Sequence, residues 1–282
     1  MSFLVAAIQL QSTSDEASNL DTAAALIERA AGYGARFAAT PENTNFLGPH
    51  EEKVRCAQPL EGEVCARFAE LARRHRMYVL LGSFNEQAQA RAQAGAAEGA
   101  AASPARCNNT SVLFGPDGAA LAVYRKIHLF DVDVSEEVRF KESATINPGS
   151  ELVAVATELG TLGLSVCYDL RFPELYAALV RKGAQILTVP SAFTLMTGKD
   201  HWYPLLRARA IETQCWVVAP AQSGRHDDRG LRHSYGHSLV IDPWGQVVAS
   251  ASDGPGLALA EIDLDRVGRV RRAIPVADHR RL

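Results

Sequence analysis

Leu162-Gly163-Leu164-Ser165-Val166-Cys167-Tyr168-Asp169-Leu170-Arg171-Phe172-Pro173-Glu174 reads as an apolar strand, Leu162–Cys167, that breaks into a polar turn and then a helix, Glu174–Lys182. The chain downstream repeats the unit: strand Gln185–Pro190, helix Trp202–Thr213, strand Cys215–Ala219. A hairpin closes it, His237–Ile241 and Gln246–Ser250 around Asp242-Pro243-Trp244-Gly245. Upstream the same order is already present. A strand over residues 3–10 leads to helix Glu16–Ala31, strand Arg36–Thr40, helix Glu63–His75 and strand Met77–Ser83. Thr110–Phe114 and Ala119–Tyr124 then flank the tight-turn sequence Gly115-Pro116-Asp117-Gly118.

Two successive β-α-β-α-β-hairpin halves predict an α/β protein built as a four-layer α-β-β-α sandwich of two pseudo-symmetric halves, with the sheets face to face and the helices outside. The halves share order and not residues, so the 282-residue chain is read as one domain, 1–282. A loop-rich stretch from Lys126 to Gly149 separates them. Two segments stand apart: an Ala-rich surface insertion at about 87–106, which lacks large apolar anchors, and a C-terminal tail at about 265–282.

The 29 basic and 32 acidic residues give a net charge of −3, spread along the chain, which argues against an electrostatic nucleic-acid binder. Apolar residues make up 47% and charged residues 22%, the composition of a packed globule. No apolar run approaches the ~18 residues that cross a membrane, and the N-terminus lacks the pattern of a secretory signal. The five cysteines are odd in number, widely spaced and without a Cys-x-x-Cys pair, which implies reduced thiols in the cytoplasm. Among the eight histidines, His226, His233 and His237 come closest to ligand spacing and read as a polar loop followed by a strand start, so no metal site is expected.

Open α/β sheets build their sites at strand ends. Three such ends carry reactive groups: Glu42 after Thr40-Pro41, Lys126 after Tyr124-Arg125, and Cys167 at the opening turn. Taken singly, each has an ordinary reading. A cysteine ending a core strand is more often a small buried apolar side chain, Glu42 a loop or cap residue, and Lys126 part of a solvated basic face. Taken together they supply what attack on a carbonyl needs: a thiol at a helix N-terminus, where the thiolate is favoured, a base for its proton, and a cation for the developing oxyanion.

At these residues the chain resembles the nitrilase superfamily of carbon–nitrogen hydrolases, whose signature is a Glu-Lys-Cys triad in this order. The contexts Pro41-Glu42-Asn43, Tyr124-Arg125-Lys126-Ile127-His128-Leu129-Phe130-Asp131 and Cys167-Tyr168-Asp169-Leu170-Arg171-Phe172-Pro173-Glu174-Leu175 carry the likeness. The resemblance implies that Glu42, Lys126 and Cys167 are catalytic, and that Glu142, in Phe140-Lys141-Glu142-Ser143, is a second glutamate beside the lysine and substrate. Cys167-Tyr168-Asp169 is similar to the amidase branches. The segments Pro190-Ser191-Ala192-Phe193-Thr194 and Ala221-Gln222-Ser223-Gly224-Arg225-His226 are similar to the deaminated glutathione amidase branch, with ω-amidases acting on α-ketoglutaramate as the nearest alternative.

That likeness implies thioester chemistry on a small-molecule amide, with no metal or organic cofactor, and substrate contacts at Tyr168, Arg171, Ser191, Phe193 and Thr194. The guanidinium of Arg171 suits a substrate carboxylate, although pairing with Glu174 or Asp169 in its own turn is an equal reading. The family also implies a homodimer or higher homo-oligomer through the helices Glu174–Lys182 and Trp202–Thr213. The apolar Leu175, Tyr176, Leu179 and Trp202 on those helices serve an internal core equally well. Another small-amide or N-carbamoyl hydrolase, and a non-catalytic binding scaffold, stand as further alternatives.

Overall fold

The computed structural model describes residues 2–88, 106–135, 138–226 and 232–281. The first half runs β1 (Ser2–Gln9), α1 (Glu16–Gly32), β2 (Ala35–Ala39), α2 (Glu63–His75), β3 (Tyr78–Gln87), β4 (Cys107–Phe114) and β5 (Ala120–Arg125). Between the halves lie β6 (Asp131–Ser135), β7 (Val138–Lys141), β8 (Ile146–Asn147) and β9 (Ala154–Thr157). The second half runs β10 (Gly160–Leu164), α3 (Pro173–Arg181), β11 (Ile186–Thr188), α4 (Leu195–Thr213) and β12 (Trp216–Ala219). It continues through the small ribbon β13 (Ser223–Arg225) and β14 (His233–Tyr235), then β15 (Leu239–Ile241) and β16 (Val247–Ser250). The chain closes with β17 (Gly256–Asp263), α5 (Leu264–Ala273) and α6 (Val276–His279).

One sheet has the order β17-β1-β2-β3-β4-β5, with β8 beside β4, and the other β16-β15-β12-β11-β10-β9. The pseudo-symmetry extends to strand direction. In each half three parallel strands, β1-β2-β3 or β10-β11-β12, are followed by an antiparallel pair, and an antiparallel strand borders the first: β17 on β1, β9 on β10.

Successive strand residues point to opposite faces, and here both faces are covered. Phe3, Val5 and Ala7 of β1, Phe37 of β2 and Leu80 of β3 face the other sheet and meet Leu162, Val217 and Val240 in one core. Their neighbours Ala6, Ile8, Ala38 and Val79 face outward into a second core with Leu20 and Ile27 of α1 and Phe68 of α2. That double burial explains why these strands read as continuous apolar runs.

Several boundaries differ from expectation for identifiable reasons. Helix α4 begins seven residues before Trp202, because Thr194 caps it by accepting from the Thr197 N–H at 3.4 Å. Gly198 inside it is a packing glycine: a Cβ there would lie 2.3 Å from the Tyr235 Cβ. The stretch expected as loop from Lys126 to Gly149 contains the β6–β7 ribbon, a 3-10 turn at Glu142–Ala144 and β8. The expected C-terminal tail is mostly helical, since Val267 and Val270 of α5 are buried. The expected Ala-rich insertion lies largely outside the described residues; its anchors, Gln87 and Cys107, pair across β3 and β4. Leu175, Tyr176, Leu179 and Trp202 all sit in the chain's own core and present no apolar surface to a partner.

Candidate active site

Glu42 follows β2 by three residues. The Thr40 N–H donates to the Leu80 carbonyl at 3.0 Å, extending the ladder, and Asn43 then turns the chain in the left-handed region at φ +55°. Gln222 holds this turn from the other half: its Nε2 donates to the carbonyls of Glu42 at 3.0 Å and Asn43 at 3.3 Å. Lys126 follows β5 directly, fixed by its N–H on the Asn109 carbonyl at 2.9 Å and its own carbonyl under the Gly149 N–H at 2.8 Å.

Cys167 opens a 3-10 turn, Cys167–Arg171, three residues past β10. Its φ of +50° is costly for a residue with a side chain, and its N–H is anchored on the Pro190 carbonyl at 2.8 Å. The fully buried Asp169 carboxylate organises the turn. It accepts from the Val166 N–H at 2.8 Å, the Tyr124 hydroxyl at 2.6 Å and the His128 N–H at 3.0 Å, and His128 Nδ1 lies 2.7 Å away. Stacked on His128 at 3.7 Å, the Phe172 ring closes the far side of the turn.

These elements bring Glu42, Lys126, Glu142 and Cys167 to one cavity of about 650 Å³. Lys126 Nζ lies 2.8 Å from Glu42 Oε1 and 2.9 Å from Glu142 Oε2, with all three side chains buried. Asn109 Nδ2 donates to both carboxylates, at 2.8 Å and 3.2 Å. The second oxygen of Glu42 accepts from the Ala192 N–H at 3.0 Å, and the Phe130 N–H donates to Glu142 at 2.7 Å. Burial alone would strip the lysine of its proton, but Glu142 and Glu42 outweigh it and hold Lys126 well above the ordinary lysine value. Burial likewise opposes ionisation of Glu142, yet Lys126 and Lys53 bring it down to about 2.

The thiol behaves differently from expectation. A five-residue 3-10 turn separates Cys167 from α3, so no α-helix N-terminus stabilises a thiolate. Burial pushes the Cys167 thiol well above its ordinary value, the Glu42 carboxylate adds to the shift, and Lys126 only partly offsets it. Cys167 is therefore a protonated thiol at neutral pH, on the wall of the cavity that the Glu42 carboxylate also lines.

Of the expected substrate contacts, Tyr168, Arg171, Phe193 and Thr194 line the cavity. Ser191 does not: it is fully buried, with its hydroxyl donating to the Val189 carbonyl at 3.0 Å. Arg171 pairs with neither Glu174 nor Asp169. It lies 3.3 Å from His201 Nδ1 and over the Phe193 ring at 5.3 Å, aimed along the cavity wall. Sequence reading missed Asn109, Gln222, His50 and Lys53; the one signal for Asn109 was a polar run, Asn108-Asn109-Thr110-Ser111, opening a strand whose residues are nearly all buried.

Among the described residues no group of three His, Cys, Asp or Glu side chains has metal-ligand geometry, and no helix is long and apolar enough to cross a membrane. His226 is instead a structural residue, its ring nitrogens 2.7 Å from the Ser12 carbonyl and 2.9 Å from the Ser234 hydroxyl.

A buried thiol, carboxylate and ammonium at the strand ends of an α-β-β-α sandwich define a cysteine-type hydrolase site. Residues 4–272 match the carbon–nitrogen hydrolase family, and the chain belongs to that family, within the nitrilase superfamily. It is 46% identical over 280 residues to the deaminated glutathione amidase of Bos taurus, covering 99% of this chain and 82% of that protein. Its identity to the deaminated glutathione amidase of a Synechocystis strain is 44%, covering 99% and 98%. The crystal structure of the C. elegans NitFhit protein superposes with a TM-score of 0.87 at 41% identity over 99% of this chain; the chain spans 65% of that longer protein.

Proposed function

We propose that the protein hydrolyses deaminated glutathione to α-ketoglutarate and cysteinylglycine. The observation that carries this reading is one cavity lined by the protonated Cys167 thiol and by the Glu42–Lys126 ion pair, in a chain 44–46% identical along 99% of its length to enzymes of that name.

In this mechanism Glu42 takes the Cys167 proton as sulfur attacks the amide carbon, and the electron pair of the carbonyl moves to oxygen. The Lys126 ammonium and the Tyr168 N–H, in the first turn of the 3-10 helix where it has no helical acceptor, stabilise that oxyanion. Glu42 returns the proton to the amide nitrogen, the C–N bond breaks, and the amine of cysteinylglycine leaves. Water then gives its proton to Glu42 and attacks the thioester, freeing α-ketoglutarate and regenerating the thiol. Glu142 keeps Lys126 charged and in place, and Arg171, with Tyr168, Phe193 and Thr194 around it, holds the carboxylate of the leaving portion.

The proposal includes a cytoplasmic location, supported by five unpaired thiols, and a homodimer or higher homo-oligomer, supported by Ile211 on α4 and Trp244, which are about half exposed. Light scattering on the purified chain tests the second.

The functional test is steady-state hydrolysis of deaminated glutathione beside α-ketoglutaramate, with Cys167→Ala as the blank and α-ketoglutarate as the product detected. A kcat/KM ratio of ~100-fold for deaminated glutathione, about 2.7 kcal/mol of differential transition-state binding, is the expected result. A reversed ratio makes the protein an ω-amidase, and an active Cys167→Ala removes the mechanism.

A further inference from the structure

The cavity holds a second buried ammonium that the triad does not use. Lys53 lies on the loop after β2, is 2% exposed, and lines the same cavity as Cys167. Among the described residues its side chain makes no hydrogen bond or ion pair, whereas Lys126 is held by two carboxylates. A buried cation that no carboxylate touches directly is costly and needs a reason.

Its neighbours add a second observation. Both ring nitrogens of His50, three residues earlier and also on the cavity wall, are buried without a hydrogen-bond partner. Burial, then Lys53 and Arg232, bring His50 down to about 2, so the ring is neutral and offers one N–H donor. Arg232 stands over the Phe140 ring at 5.1 Å on the same wall. Burial and Arg232 lower Lys53 to about 8, with Glu142 and Glu42 opposing, so it is still mostly charged at neutral pH. This wall therefore presents donors and positive charge to the cavity, with both reactive carboxylates already engaged elsewhere.

We propose that Lys53, with the His50 ring beside it, is a specificity-determining receptor for the carboxylate on the acyl side of the amide substrate. The assignment rests on the amidase reading of the site. Two features place the acyl side here. Lys53 is carried by the first half of the sandwich, within the electrostatic reach of Glu142 and Glu42, which flank the reacting carbonyl. The rim, by contrast, is marked by Leu195 and Met196, 40% and 45% exposed, and by exposed Lys199, which line the cavity with the half-buried Arg171, all of the other half. The leaving portion has to depart through an open rim, while the acyl portion stays bound to sulfur until water arrives. A buried cation suits the part that stays, and a partly exposed guanidinium the part that leaves. The site then selects amides carrying a carboxylate on each side of the scissile bond.

The test compares deaminated glutathione with its methyl ester at the acyl-side carboxylate, which removes the charge and keeps the scissile amide. Wild type is expected to favour the acid by ~30-fold or more in kcat/KM, a charge-assisted contact that Lys53→Met reduces to within ~3-fold, chiefly through KM. Lys53→Arg should keep part of the preference, and Arg171→Met all of it. Equal losses on acid and ester in Lys53→Met overturn the proposal. So does a wild type without preference, a measurement that needs no variant to fold. If wild type turns over neither deaminated glutathione nor α-ketoglutaramate, the functional reading fails separately. Calorimetric binding of glutarate then decides the Lys53 site: binding lost in Lys53→Met supports it, and equal binding in both chains overturns it.

Discussion

The Tyr124 hydroxyl donates to the Asp169 carboxylate at 2.6 Å, which fastens the strand that delivers Lys126 to the turn that delivers Cys167. Lys126 follows the last hairpin of the first sheet and Cys167 lies beyond β10 of the second, so no shared strand sets their separation. The link is made by a phenol and a carboxylate that are both buried, in a medium where such bonds are strong and unpaired groups costly.

Tyr124→Phe removes this one donor and leaves Asp169 three others. We expect a stability loss of about 1–2 kcal/mol in urea unfolding and a kcat lowered by ~10-fold at nearly constant KM, because a misplaced sulfur weakens the transition state more than binding. A loss of stability with unchanged kcat would reduce the pair to a structural contact.

Removing Lys126 should have a larger and pH-dependent effect. Lys126→Met leaves the Glu42 and Glu142 carboxylates facing each other inside the protein without the cation that now lies within 2.9 Å of each. Breaking a buried ion pair from one side costs about 3–5 kcal/mol, and here a carboxylate can relieve part of it by taking up a proton. The variant should be inactive, and its stability deficit against wild type should shrink as the pH is lowered from about 8 to about 5. A deficit independent of pH would mean that the two carboxylates do not interact through Lys126.

Much of this was legible in the sequence because strands in a two-sided core are nearly all apolar, so a charge at their end stands out. Glu42, Lys126 and Cys167 are such charges or thiols, and the order of elements around them gave the layers. The side chains that position them were not legible. Asp169 looks like an ordinary turn acid, and Gln222 acts across 180 residues to hold the Glu42 backbone. Such roles depend on contacts between the halves, which periodicity within one half does not encode. Lys53 was hidden for the same reason: in sequence it lies in the charged stretch His50-Glu51-Glu52-Lys53, and only the fold turns it inward.

Acid should destabilise the protein in two stages. His50, ordinarily near 6.5, is held at about 2 in the folded protein by burial and by Lys53. The unfolded chain thus binds a proton below about 6.5 that the folded one refuses, and stability falls with pH from there. Glu142, lowered from 4.5 to about 2, contributes stability that is fully present above 4.5 and is lost as the pH falls towards 2. Urea midpoints measured from pH 8 to pH 3 should decline from about 6.5 and steepen below about 4.5. His50→Gln should flatten the first stage alone; a wild-type curve flat between pH 6.5 and 4.5 would contradict the buried neutral imidazole.

Two glycines support the catalytic strand ends by close approach, and they give the sharpest mutational contrast. A Cβ on Gly82 of β3 would lie 1.8 Å from the Thr40 carbonyl oxygen and 2.6 Å from that of Pro41, the two residues that lead into Glu42. On Gly149 it would lie 2.1 Å from the Arg125 carbonyl oxygen, the residue before Lys126. Backbone cannot rotate away as a side chain can, so either alanine must displace the segment that carries a reactive group. An overpacked core costs about 1–3 kcal/mol, and displacing a reacting group by about 1 Å costs ~100-fold in rate. Gly82→Ala and Gly149→Ala should therefore lower the melting temperature moderately and kcat severely. Gly32→Ala, at the end of α1 with open space around its Cβ, should change neither. If Gly82→Ala kept wild-type kcat in a folded chain, the position of Glu42 would not depend on the contact between β3 and the Thr40-Pro41 backbone.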